Sequence, residues 1–313
     1  MKIEAAYILC AGLGTRMGEI GKVLPKPLWP FFEKTCLDFR ITQLHALGIT
    51  NIVINTHHCA DQIKEYVRKN YSSQIKILHE PILLGSGGAI HNFKKNFTGI
   101  KKILVLNSDF FFNITNELLD RATQRMQEAS ALLFCVPVTH DSGQNQVCAQ
   151  GGLLSNIVKH AMISQDTKYE ASSGVSILNL TKIKHREGIS EFFHSVADFN
   201  RDKVCIFSES ATDWYELGTK ESYKDFYYKY TTEIVIRTRS DLLQTLITHS
   251  YLNPLKISKA GSYGAGLSGP RIYNFDPDWR CPHDIPGKTF IFKAPTVPID
   301  APGIYFGEHV DKT

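Results

Sequence analysis

Along the first half of the chain, apolar residues fall in short, nearly continuous runs separated by stretches with helical period. Residues 5–9, 51–55, 74–79, 101–106 and 131–138 read as strands. Between them, residues 35–47 repeat Leu37, Ile41, Leu44 and Leu47 at helical spacing and stop at Gly48, a natural C-cap. Further helices are predicted over 60–69, from the glycine-rich turn at 84–88 to about residue 95, and over 116–129. Strands alternating with helices through short connections predict an α/β fold: a Rossmann-like, mostly parallel mixed sheet with helices on both faces. Ligands of such sheets gather at the carboxyl ends of the strands. Gly12, the turn at 85–88 and Asp109 all fall at such ends.

The second half is less regular. Residues 139–150 read as a polar loop, 174–180 as a strand, 191–199 as a short helix and 204–208 as a strand that leads into residues 212–219. A long helix is predicted after Gly218. From about residue 251 glycine, proline and aromatics rise, helical period is lost, and 261–270 reads as an open loop. The expected organisation is one domain over 1–230 and, over 231–313, a helix plus a small irregular, β-containing C-terminal extension. No internal repeat is visible.

The most informative chemistry lies at the end of the first strand, in LCAGLGTRMGEIGKVLPKP (residues 9–27). Glycines there let backbone N–H groups approach phosphate oxygens closely, and Arg16 and Lys26 lie just beyond to neutralise phosphate charge. The Walker A pattern is absent. A dinucleotide fingerprint would need a third glycine where Met17 stands, and an acidic residue where the next strand ends in Asn55-Thr56-His57. What remains is Gly-x-Gly-Thr-Arg followed by Pro-Lys-Pro-Leu: a polyphosphate loop using Gly12, Gly14, Thr15, Arg16 and Lys26.

Composition narrows the partners. A chain of 313 residues has ample core to bury, and a net charge of +4 makes no case for nucleic acid. The seven cysteines show no C-x-x-C spacing and read as reduced thiols of a cytoplasmic protein. The first strand begins almost at Met1, which predicts no signal peptide, and no apolar run is long enough for a bilayer.

The glycine loop with its Thr-Arg and Pro-Lys-Pro-Leu resembles the signature of the sugar-phosphate nucleotidyltransferases, closest to short bacterial enzymes acting on hexose or heptose 1-phosphates. The resemblance covers about residues 1–223 and implies their nucleotide-diphospho-sugar transferase fold. It implies transfer of a nucleoside monophosphate from an NTP to a sugar 1-phosphate, with Mg2+ as cofactor. Both reactants are anions, so a metal held by carboxylates and phosphates supplies much of the catalysis. Asp109, ending an apolar strand, is the candidate ligand, against the alternative that it caps the next helix; Asn113 and Thr115 can serve as that cap. The second ligand of the family comes from a Trp-x-Asp-x-Gly-Thr pattern. Here that stretch is Trp214-Tyr215-Glu216-Leu217-Gly218-Thr219, which places Glu216 at the aspartate position and leaves Asp213 as a competitor. By the same resemblance Gly87 and Gly88 border the base, and Gly174 with Asn179 lines the sugar pocket. A Glu-Lys-Pro motif used by many members to grip the sugar is not found; Lys159 and Lys168 are replacements to consider. The middle motif tilts the base towards GTP and the sugar towards the manno configuration.

Two other readings stay open: a cytidylyltransferase for a small phosphorylated alcohol such as phosphocholine, and a nucleotide-sugar-binding regulatory subunit without turnover. His57 and His58 beside Cys59 read as a loop at a helix start, not a metal cluster; Phe110-Phe111-Phe112 reads as core. The C-terminal aromatics, Tyr263 to Phe292, are candidates for covering the core or for a homo-oligomer contact.

Overall fold

The computed structural model describes residues 2–17, 21, 24–31, 34–71, 73–209, 214–219, 222, 226, 290–291 and 304–305. The helix expected after Gly218, Asp213, the loop at 261–270 and the boundary near residue 230 lie outside these residues, as do most of the C-terminal aromatics. The chain divides into two compact units, Met1–Leu13 with Arg40–Glu216, and Gly14–Phe39 with Leu217–Thr313.

In chain order the elements are β1 (Ala5–Leu9), β2 (Pro30–Phe31), β3 (Lys34–Thr35), α1 (Cys36–Ala46), β4 (Ile52–Thr56), α2 (Ala60–Tyr71), β5 (Ile75–His79), α3 (Gly85–Asn96), β6 (Lys102–Asn107), β7 (Phe110–Phe112) and α4 (Asn116–Met126). They continue with β8 (Ala131–Thr139), β9 (Gln146–Gln150), β10 (Leu153–Val158), β11 (Lys168–Asn179), α5 (Phe192–Ser195), β12 (Val204–Ser208), β13 (Trp214–Glu216), β14 (Phe290–Ile291) and β15 (Ile304–Tyr305).

The first unit is built on a nine-stranded sheet in the order β5-β4-β1-β6-β11-β8-β12-β10-β9. β5, β4, β1 and β6 run parallel, β11 lies antiparallel between β6 and β8, and β12 is parallel to β8. The expected mostly parallel sheet is what forms. Its strands are apolar on both sides because helices cover both faces. On one face Tyr7 stacks on Phe93 of α3 with ring centroids 4.8 Å apart. On the other, Phe134 of β8 meets Phe207 of β12 at 5.7 Å, and Arg121 of α4 lies over the Phe207 ring. Phe93 and Phe134 are fully buried, so truncating either to alanine would cost about 3–5 kcal/mol.

The topology also locates the crevice. From β1 the chain moves outward through β4 to β5, then returns to β6 on the other side of β1. The order reverses there, and ligands of such sheets bind just outside the strands' carboxyl ends at that point, here Leu9 of β1 and Asn107 of β6, which are register partners.

The polar stretch 139–150 departs from expectation. After a 3₁₀ turn over His140–Ser142 it forms β9, which folds back on β10 through Gly151-Gly152, both at positive φ (60° and 79°). A two-residue glycine turn of this kind is a hairpin signal; the strand before it, β9, is the edge of the sheet, and of its five residues only Val147 is buried. β11 begins earlier than expected, at Lys168, and carries a bulge between Ser172 and Ser176. The helices over 116–129 and 191–199 are shorter than expected, ending at Met126 and Ser195.

In the second unit β2 and β3 form an antiparallel ribbon, Phe31 packs against Phe39 and Phe226, and β14 pairs parallel with β15. Thr35 caps α1 reciprocally: Asp38 N–H donates to Thr35 Oγ1, and Thr35 N–H donates to the Asp38 carboxylate at 2.8 Å.

Candidate active site

β6 ends at Asn107, turns through Ser108-Asp109 and re-enters as β7. This turn is braced from below by Arg40, a fully buried residue of α1. Its guanidinium donates to the carbonyls of Asn107 (3.3 Å), Phe112 (3.4 Å) and Phe110, and to the side-chain oxygen of Gln43 at 3.0 Å. Gln43 donates in turn to Phe112 O at 2.8 Å. A buried cation is tolerated when its donors are used; here they are spent on main-chain oxygens flanking Asp109. Asp109 itself is half-buried. It is not the helix cap, since Thr115 Oγ1 accepts from Leu118 N–H and performs that task for α4.

The second carboxylate arrives on β13, which pairs antiparallel with β7 so that Glu216 stands opposite Phe110, the residue after Asp109. The amide of Gln144 donates to Glu216 Oε2. Asp109 and Glu216 thus belong to the same end of one two-stranded ribbon. Among the described residues no group of three His, Cys, Asp or Glu surrounds a common point. Two carboxylates without a full protein cage suit a hard divalent cation that takes its other ligands from phosphate oxygens and water.

A cavity of about 210 Å³ opens between the carboxyl ends of the strands, with Leu9, Asn107, Phe110, Gly174, Gln144 and Phe192 among its lining residues. Ligand pockets commonly measure about 300–1,000 Å³, so this space lies below the usual range and suits a compact group such as a single sugar better than a whole nucleotide. Gly174 sits in the β11 bulge at φ +78°, and a Cβ there would lie 2.8 Å from the Phe110 ring. Trp214 closes the stack, 5.7 Å from Phe110, with its indole N–H donating to Ser173 O at 3.1 Å. Asn179 does not belong here, which corrects its expected sugar-binding role. It pairs with Lys102 at the opposite end of the sheet, and its side chain accepts from Thr181 N–H and Oγ1. Lys159 and Lys168 are exposed.

Gly87 and Gly88 also need correction. Both are buried in the first turn of α3, and both N–H groups donate to Ser190 O, at 2.9 and 3.1 Å. Cβ atoms on them would fall 2.6 Å from Glu191 O and Gly188 O respectively. Their smallness serves close packing against residues 188–195, and their donors are committed to Ser190 instead of a base. Ser86, which lines the cavity, is the member of this turn that faces it. A buried chain of bonds ties this turn to the first loop: Cys10 N–H donates to Asn55 Oδ1, Asn55 Nδ2 to Glu80 Oε1, and Leu84 N–H to Glu80 Oε2. Burial pushes the Glu80 carboxyl up from the usual range, against the lowering effect of those two donors. His57 contacts Glu80 O through Nδ1 at 2.8 Å, so it belongs to this scaffold.

Gly12 is exposed, and a Cβ there would meet no protein atom within 4 Å, so packing does not demand the glycine. Gly14, Thr15, Arg16 and Lys26 belong to the second unit. Gly14 adopts φ +68°, and Gly21 approaches so closely that a Cβ on it would lie 2.2 Å from Gly14 O. Thr15 and Arg16 are exposed on a 3₁₀ turn, and Lys26 is half-buried at the start of another, whose Leu28 N–H donates to Pro25 O.

Two residues of the first unit were not anticipated. Arg40 was detectable, because it lies on the apolar stripe of α1 between Leu37 and Leu44, where a cation needs a reason. Gln144 carried no such signal.

The nucleotidyl transferase family matches residues 5–144. D-glycero-alpha-D-manno-heptose 1-phosphate guanylyltransferase of Campylobacter jejuni is 39% identical over 235 residues, covering 71% of this chain and 97% of that protein. This chain belongs to the sugar-phosphate nucleotidyltransferase family. A guanylyltransferase of the same name from Aneurinibacillus thermoaerophilus is 33% identical over 111 residues, 34% of this chain and 46% of that one. HddC from Yersinia pseudotuberculosis, solved with GMP-PN, shares the fold at a TM-score of 0.62 and 20% identity, over 73% of this chain and all of that one. The sugar-phosphate nucleotidyltransferase described here transfers a nucleoside monophosphate from an NTP to a sugar 1-phosphate, giving an NDP-sugar and pyrophosphate. Enzymes of this family generally depend on a divalent metal. Among the described residues no helix is long and apolar enough to cross a membrane.

Proposed function

We propose that the enzyme is a Mg2+-dependent guanylyltransferase acting on a manno-configured heptose or hexose 1-phosphate. The observation that carries the base and sugar is the alignment with the Campylobacter guanylyltransferase across 97% of that protein's length. The cavity, sized for one sugar at the carboxyl ends of β1 and β6, supports the same reading.

The sugar-phosphate oxygen attacks the α-phosphorus of GTP and pyrophosphate leaves. The phosphate is already ionised at neutral pH, so no general base is required, and positioning with charge neutralisation supplies the rate. Asp109 and Glu216 hold the Mg2+, which when bound neutralises the reacting phosphates. Gly174 and the Phe110–Trp214 stack shape the sugar side. The sequence motif assigns the backbone of Gly12, Gly14 and Thr15 to the triphosphate, Arg16 to the leaving pyrophosphate and Lys26 to the α-phosphate or sugar phosphate. Gly87 and Gly88 act as scaffold for the turn that presents Ser86. A cytoplasmic location is part of this proposal and rests on seven cysteines without C-x-x-C spacing. A catalytic domain over 1–230, with 231–313 contributing a contact between copies, belongs to the same proposal and rests on the aromatic content of that extension.

Pyrophosphate release should be measured for GTP, ATP, CTP, UTP and dTTP, each against D-glycero-α-D-manno-heptose, mannose and glucose 1-phosphates. GTP with a manno-configured sugar should give the highest kcat/KM by at least tenfold. A preference for UTP with glucose 1-phosphate would sink the assignment.

A further inference from the structure

Gln144 occupies a position that the reaction described so far does not use. Its main chain is pinned on both sides: Tyr169 OH donates to Gln144 O at 2.7 Å, and Gln144 N–H donates to Ser142 Oγ at 3.3 Å. The side chain therefore leaves a fixed origin, lines the cavity and reaches Glu216, 72 residues further along the chain. An ionised carboxylate only accepts, so the amide must present its NH2 to Glu216. That orientation leaves Oε1 as an acceptor on a planar group whose other end is tied to an anion, and such a tie polarises the amide and strengthens the acceptor. The natural donor in a cavity of this size is a hydroxyl of the sugar.

We propose that Gln144 is a specificity-determining residue that accepts a hydrogen bond from a sugar hydroxyl through Oε1 while holding Glu216 through Nε2. It thereby links occupation of the sugar cavity to the aim of the second carboxylate. The proposal rests on the reading of the cavity as the sugar site and of Glu216 as a Mg2+ ligand. Glu216 is one methylene longer than the aspartate that the family pattern places there, so its carboxylate has an extra torsion to be restrained. A neutral amide donor restrains it without removing the negative charge that the ion requires. Seating a sugar hydroxyl on the other end of the same amide would hold both groups at once.

Two variants separate the two ends of the amide. Gln144→Met keeps the length and removes both donor and acceptor; Gln144→Glu keeps an acceptor and removes the donor. Calorimetry with the sugar 1-phosphate alone, without nucleotide or metal, reads the sugar contact. The half-saturating Mg2+ concentration in pyrophosphate release reads the Glu216 contact. Gln144→Met should weaken metal-free sugar 1-phosphate binding at least tenfold and raise half-saturating Mg2+ at least fivefold, with KM for GTP within twofold. Gln144→Glu should reproduce the Mg2+ shift with sugar binding within threefold of the wild type. If Gln144→Met fails to fold, as judged by thermal unfolding, Gln144→Glu still decides the Glu216 half. Wild-type protein that binds sugar 1-phosphate, with Gln144→Met binding it equally well, overturns the proposal alone. An unchanged Mg2+ requirement in Gln144→Glu overturns it too. Wild-type protein that binds no sugar 1-phosphate overturns the cavity reading, and the proposal with it.

Discussion

The two strands that bring the carboxylates together are held in very different ways. On β7 the Asp109 turn rests on Arg40 and Gln43, which direct four hydrogen bonds at the carbonyls of Asn107, Phe110 and Phe112. On β13 Glu216 extends a longer side chain from a three-residue strand towards the amide of Gln144. Main-chain bonds from buried donors fix where a carboxylate can be; a single contact from another side chain restrains it less tightly. The ribbon therefore pairs a rigidly placed carboxylate with a more adjustable one, the two proposed as metal donors. β13 is also where the chain departs from the Trp-x-Asp-x-Gly-Thr pattern that it resembles, with Glu216 at the aspartate position.

The sharpest way to test this asymmetry is to remove the rigid donor's charge. Asp109→Asn keeps the shape of the side chain and, on the proposed reading of Asp109 as a Mg2+ ligand, should lower turnover by about 10³-fold or more, because several kcal/mol of charge stabilisation would depend on the ion. Thermal unfolding should move little, since Thr115 and not Asp109 caps α4. A variant that turned over normally would transfer the ligand role elsewhere on the ribbon.

Next in size is the brace. Arg40→Met leaves the carbonyls of Asn107, Phe110 and Phe112 buried without this donor, at roughly 1–3 kcal/mol for each that finds no other partner. A total near 3 kcal/mol would lower Tm by about 6–12 °C on the usual scaling for chains of this size. Turnover should fall about 30-fold, and half-saturating Mg2+ should rise because the Asp109 turn is no longer held. That last readout separates positioning from mere stability: a loss of Tm with an unchanged metal requirement would mean that the turn keeps its shape unaided. Arg40→Lys should recover only part of either effect, since an ammonium group cannot fork across several carbonyls as guanidinium does.

How far these features can be read from sequence follows from how local they are. β1, β4, β6 and β8 are buried on both faces and therefore appear as apolar runs, and Asp109 stands out as a carboxylate that ends one of them. β9 is an edge strand of Gln, Val, Cys and Ala, so its period is faint, and the hairpin is announced only by Gly151-Gly152. Glycines are ambiguous in another way. Gly87 and Gly88 carry the same letters whether a ligand or Ser190 O approaches them, and Ser190 lies about a hundred residues downstream. Asn179 was misplaced because the direction of β11 cannot be told from its own residues; running antiparallel to β6, it carries that side chain to the far end of the sheet. Gln144 is a neutral amide in a polar stretch, and its meaning appears only when β13 comes to lie beside β7.

The smallest expected effect belongs to the adjustable donor. Glu216→Asp restores the residue of the family pattern, so sequence alone would suggest a neutral or improved enzyme. The geometry argues otherwise. β13 keeps its register with β7 whatever the length of the side chain, so the aspartate carboxylate is drawn back by one methylene from Gln144. It must either give up that amide or draw back from the position at which, on the proposed reading, it would share an ion with Asp109, whose turn cannot follow because Arg40 holds it. Turnover at saturating Mg2+ should fall about three- to fivefold, with stability within about 0.5 kcal/mol of wild type because the site is half-buried and no core contact changes. Combining the change with Gln144→Met should add little further loss in Mg2+ dependence, since both variants break the same contact. If Glu216→Asp were instead faster than the wild type, β13 would already hold its backbone where a shorter carboxylate belongs, and the contrast between a fixed and a re-aimable donor would have to be abandoned.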